Sequence, residues 1–228
     1  MPDYSGFTTL HEQGWKGHEA QNFAWQDPTN PQKQRLALAA LKSLGPPHSV
    51  RVLDYGCGNG ILTQFFHGRG HPTVGIDISP TVIASNCLRI PEATFQLVPS
   101  DAPAPFDDAS FDAIFCSEVV EHVYDTNFLF GEFSRLLKPG GLLLLTTPYH
   151  GVIKNLIVVT FYFERHFDPT WQHIRFFTRK SLSRVCRAHG LIPKRWWHVG
   201  RVWPVPKSFF LVCRKESPPV LPAGRATE

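Results

Sequence analysis

No stretch of the 228-residue chain reaches 18 consecutive apolar residues, so no segment has the length of a membrane-spanning helix. The five cysteines, Cys57, Cys87, Cys116, Cys186 and Cys213, form no CxxC pair and match no zinc or disulfide spacing. Reduced thiols in a cytoplasmic compartment are the plain expectation. The first 15 residues lack both a basic run and an apolar run, so a secretory leader is not expected. A net charge of +4 is too weak for the clustered basic stripe of a dedicated nucleic-acid binder. There is no internal repeat and no low-complexity tract. What remains is 43% hydrophobic and 18% charged residues, which excludes a disordered chain and suits one domain with a sizeable core. Eighteen Phe, six Trp and five Tyr suit an enzyme that handles a small or apolar ligand.

Punctuation and periodicity divide the chain. Residues 32–44 repeat apolar positions at helical spacing and stop at Gly45-Pro46-Pro47. Strands are predicted at 50–55, 73–77, 94–98, 111–117 and 142–147, with helices at 60–67, 79–89 and 119–137 between them. This alternation predicts an α/β fold with a mostly parallel sheet and helices on both faces. Beyond it, 152–165 reads as one helix, 178–189 as another and 206–213 as a last strand. The organisation is an N-terminal lid segment and helix at 1–45, a main domain at 46–216 with an insertion at 149–177, and a flexible tail at 217–228.

The densest motif is VLDYGCGNG at 52–60. A strand runs into Gly56, Gly58 and Gly60, where missing Cβ atoms allow a sharp turn and close approach to a ligand. The spacing is not the GxGxxG of dinucleotide sites, and no Lys-Ser/Thr follows, so it is not a P-loop. Asp54, just before the glycines, suits a cationic ligand rather than a pyrophosphate. Asp77 ends the second strand, 21 residues after Gly56, where a carboxylate can accept from ribose hydroxyls or cap the next helix. Asp101 follows the third strand on the same sheet edge and can accept from an adenine amino group.

With VLDYGCGNG, VGID (74–77), SDAPAPFDDASFDAI (100–114) and LLKPGGLLLLTTP (136–148) in this order, the sequence resembles the class I S-adenosylmethionine-dependent methyltransferases. The resemblance covers about residues 35–150. It implies a Rossmann-like, seven-stranded, mostly parallel sheet with a helical lid. It also implies that Gly56 and Gly58 approach the amino-acid part of the cofactor, that Asp77 holds its ribose, that Asp101 with Ala102 holds its adenine, and that Ser117 lines the site.

In SEVVEHV (117–123), Glu118, Glu121 and His122 stand at i, i+3 and i+4. On a helix they share one face, and two carboxylates with an imidazole invite a hard cation such as Mg²⁺. Without one, the same residues orient the acceptor, and His122 with Glu121 supplies acid–base chemistry. His173 is the fourth candidate ligand; His150 and His166 are weaker ones. At these positions the chain resembles two metal-using groups, the O-methyltransferases of ubiquinone biosynthesis and the small-RNA 3′-terminal 2′-O-methyltransferases. Likeness to the former extends to Arg35, which matches an arginine near the cofactor carboxylate. It extends also to an apolar insertion, here 152–164, suited to lie on a bilayer or to roof an apolar pocket. The expected substrate is a small apolar phenol, catechol or quinone precursor methylated on oxygen. A small RNA ranks lower, although Arg175, Arg179, Lys180, Arg184 and Arg187 supply some positive charge. A non-catalytic cofactor-binding protein is the alternative from another class. Nothing in the sequence sets the oligomeric state.

Overall fold

A computed structural model describes residues 27–99, 102–168, 173–201 and 203–217. Its centre is a seven-stranded sheet: β1 (Val52–Tyr55), β2 (Thr73–Asp77), β3 (Thr94–Leu97), β4 (Phe111–Ser117), β5 (Leu137–Pro148), β6 (Leu191–Val199) and β7 (Ser208–Lys215). The order is β3-β2-β1-β4-β5-β7-β6. Strands β1 to β5 pair in parallel, and β7 runs antiparallel to both of its neighbours. The order reverses between β1 and β4, and in such sheets ligands bind outside the carboxyl ends at that point.

The described helices are α1 (Asn30–Leu41), α2 (Ile61–His67), α3 (Pro80–Arg89), α4 (Thr126–Leu136), α5 (Val152–Phe161), the single turn α6 (Phe163–His166) and α7 (Arg179–Ala188). They cover both faces of the sheet, which is why its inner strands are apolar throughout. Alternation within β4 and β5 sorts the side chains. Ile114, Cys116, Leu143 and Leu145 join Phe130 and Phe133 of α4 and Leu182 of α7. Ala113, Phe115, Leu142 and Leu144 point the other way, to Ala37 and Leu41 of α1 and Phe66 of α2.

Three expectations are revised. Residues 119–125 are not helical. Glu118 has φ +55°, and the helix starts only where Asp125 accepts from the Phe128 amide. The segment 152–165 is two helices, interrupted at Tyr162. No residue of α5 is buried. Strand β6 carries no strand signal in the sequence, because Pro193, Lys194 and Arg195 interrupt any apolar alternation. The final strand is β7, at 208–215. Most of the 1–45 segment and the tail from 218 onward lie outside the described residues.

Candidate active site

The glycine loop leaves β1 at the reversal point. Gly56, Gly58 and Gly60 have φ of +73°, +50° and +77°, the left-handed region that side chains disfavour. A Cβ on Gly56 would also lie 2.5 Å from Val119, in the turn after β4. The loop and that turn therefore touch across the crevice. Asp77 ties the loop to β2: its Oδ2 accepts from the Gly58 amide at 3.0 Å and its Oδ1 from the Ser79 amide at 3.0 Å. The cap of α3 is Ser79, whose Oγ accepts from the Val82 amide. Asp77 is thus held at the strand end without serving as the cap.

Asp54 points into the protein rather than toward a ligand. It is 1% exposed, and Thr63 Oγ1 donates to its Oδ2 at 2.6 Å. Burial pushes its carboxyl up to about 7; the Thr63 hydrogen bond opposes this and the charge of Asp77 adds to it. Asp54 therefore anchors α2 to β1. Asp101 lies outside the described residues, and Ala102 is half-buried in the following bend.

Ser117 ends β4, and its hydroxyl contacts Thr146 Oγ1 at 2.9 Å and accepts from Lys33 Nζ at 3.0 Å. Lys33 is the site residue that sequence reasoning missed. It is 1% exposed, and its ammonium also donates to Asp27 Oδ2 at 3.0 Å and lies 3.5 Å from Glu118 Oε1. Lys207 Nζ donates to the same Asp27 oxygen at 2.9 Å. Two cations hold the Asp27 carboxyl well below the usual range, against the effect of burial. Lys33, Ala37 and Leu41 stand at i, i+4 and i+8 and are all buried; a lysine on that stripe was the available signal. Arg35 lies on the exposed side of the same helix.

The turn after β4 carries the remaining candidates. Glu121, His122 and His173 bring their ligand atoms within 4.8 Å of one another. They meet through the turn rather than through a helix face. The Glu121 carbonyl accepts from the amides of Ile174 and Arg175, both at 3.0 Å, which docks the His173 segment on the turn. The rings of His122 and His173 are edge-on, with centroids 4.7 Å apart. Glu121 is 1% exposed; Thr147 Oγ1 donates to its Oε2 at 3.0 Å, and its buried Oε1 has no hydrogen-bond partner. Burial first, and then the charge of Glu118, push the Glu121 carboxyl well up. Glu118 stands outside this trio, with Ser208 Oγ donating to its Oε2 at 3.1 Å and Lys33 beside its Oε1. His150 and His166 are a neighbouring pair with centroids 5.8 Å apart; His150 accepts or donates through Nδ1 to Asn155, and burial pushes it down to about 4. An unpaired buried carboxylate oxygen beside two imidazoles fits a divalent cation.

A family description reading "methyltransferase domain" matches residues 24–192. The ubiquinone biosynthesis O-methyltransferase of Xylella fastidiosa is 34% identical over 137 residues, which is 54% of this chain and 54% of that one. The enzyme of the same name from Thiobacillus denitrificans is 28% identical over 179 residues, covering 73% and 77%. Among solved structures, magnesium protoporphyrin IX methyltransferase from Synechocystis superposes with a TM-score of 0.71 at 14% identity, covering 94% of this chain and 100% of that one. The Burkholderia thailandensis 1,6-didemethyltoxoflavin-N1-methyltransferase, with bound S-adenosylhomocysteine, gives 0.67 at 19% identity, covering 95% and 92%. At these identities the structures speak for the fold.

Proposed function

The chain belongs to the methyltransferase-domain family of S-adenosylmethionine-dependent enzymes, and we propose that it methylates a hydroxyl of a small phenol, catechol or quinone precursor. The observation that carries this reading is the meeting of Glu121, His122 and His173 beside the crevice. Gly56, Gly58 and Gly60 would take the cofactor, with its ribose at Asp77. The acceptor oxygen bonds to the sulfonium methyl carbon, the carbon–sulfur bond breaks, and S-adenosylhomocysteine leaves. Where no ion is held, a ring nitrogen of His122 takes the hydroxyl proton. The protein's main contribution is alignment of acceptor and methyl.

A divalent ion such as Mg²⁺ is part of the proposal. Glu121, His122 and His173 would hold it, and when bound it acidifies a coordinated hydroxyl. The apolar α5 suggests contact with a bilayer surface, with Val152, Leu156, Val159 and Phe161 all at least half exposed. Among the described residues no helix is long and apolar enough to cross a membrane.

The test is methyl transfer from labelled S-adenosylmethionine to three acceptor classes: catechols, polyprenylated phenols and a short RNA. Labelled methyl ether on a phenolic acceptor supports the reading. Label only on RNA would replace it with the 2′-O-methyl alternative.

A further inference from the structure

The glycine loop is held from a second side, by two residues with no role in the chemistry described above. Asn86 of α3 is fully buried, and its Nδ2 donates to the Gly58 carbonyl at 2.7 Å. Arg89, one turn on, donates through Nη2 to the Asn59 carbonyl at 2.7 Å and to Asn86 Oδ1 at 2.6 Å. On the other side, the Gly58 amide donates to Asp77. The peptide units around Gly58 are therefore pinned at both the donor and the acceptor end. The fit is close: a Cβ on Gly60 would lie 2.9 Å from Ile90 and 3.1 Å from Asn86.

We propose that Asn86 and Arg89 are positioning residues for cofactor binding. Their contacts fix the orientation of the left-handed loop before the cofactor arrives. A loop with positive-φ glycines at three alternate positions has many conformations open to it, and holding one of them removes an ordering cost from binding. Arg89 acts partly through Asn86, since it orients the amide that reaches Gly58. The chain of contact runs from an exposed guanidinium, through a buried amide, to the loop. The proposal rests on the cofactor reading above, and its test keeps the two apart.

The experiment is calorimetric titration of S-adenosylhomocysteine into wild type, Asn86→Asp, Arg89→Met and the double variant at pH 8, with melting of each ligand-free protein. Asn86→Asp keeps the shape and the oxygen that Arg89 contacts, but it turns an acceptor toward the Gly58 carbonyl. We expect its Kd to rise at least tenfold while the ligand-free Tm stays within a few degrees, because Arg89 pairs with the new carboxylate. Arg89→Met should weaken binding about threefold, and the combined effect should be non-additive. A folded Asn86→Asp with wild-type Kd would overturn the proposal, as would a loss that tracks Tm alone. If Asn86→Asp does not fold, the exposed Arg89→Met decides: wild-type affinity there refutes it. Failure of wild type to bind would instead refute the cofactor reading.

Discussion

Lys33 Nζ lies 3.5 Å from Glu118 Oε1, so the helix that precedes the sheet supplies the cation for the carboxylate that follows its fourth strand. Glu118 has φ +55°, an uncommon conformation for a residue with a side chain. The ion pair and the Ser208 hydrogen bond hold it there. The turn that carries Glu121 and His122 is thus fixed from α1 on one side and β7 on the other.

Lys33→Met should be strongly destabilising, because it leaves the buried Asp27 with Lys207 as its one remaining ion-pair partner among the described residues and removes the ammonium beside Glu118. Removing one partner of a buried pair costs about 3–5 kcal/mol. Urea unfolding should show that loss, and adding Glu118→Gln to Lys33→Met should recover part of it. Equal stability of Lys33→Met and wild type would refute the ion-pair account.

Asp54 predicts a pH dependence of stability. Its folded pKa of about 7 lies above the ordinary carboxyl value of 3.8, so the folded state favours the protonated form. The stability it contributes is complete below pH 4 and is lost as pH rises through 7. The loss is on the order of 4 kcal/mol. Asn cannot ionise, so Asp54→Asn should flatten the stability curve between pH 4 and 7. Parallel curves for the two proteins, measured by denaturant titration, would contradict this.

Gly56→Ala should impair folding and cofactor binding together. The left-handed φ costs about 1–3 kcal/mol for a residue with a Cβ, and the new methyl meets Val119. Adding Val119→Ala should relieve the contact and leave the backbone cost. Full recovery in the double variant would mean that the conformation of Gly56 is unimportant.

Much of the fold was legible because its inner strands carry both signals at once. In β1, β2 and β4 an apolar run ends at a Gly, an Asp or a polar turn, and both strand type and edge could be read. The turn at 118–125 was not legible, since EVVEHV has helical spacing and only Asp125, seven residues on, reveals the true cap. The grouping of Glu121 and His122 with His173 came out despite the wrong element, and Glu118 turned instead to Lys33. Asp54 read as a ligand-facing acid because adjacency to the glycines says nothing of which way a strand residue points. The role of Lys33 depends on Asp27, Ser117, Glu118 and Lys207 meeting in space, and local patterning does not encode that meeting.

The central claim is tested most directly by O-methylation of a catechol with labelled S-adenosylmethionine, in excess Mg²⁺ and after chelation, for wild type and Glu121→Gln. The account predicts a labelled methyl ether with Mg²⁺, and a loss of at least tenfold both on chelation and in the variant. Product unchanged by chelator and by Glu121→Gln, or label found on nitrogen or carbon, would contradict it.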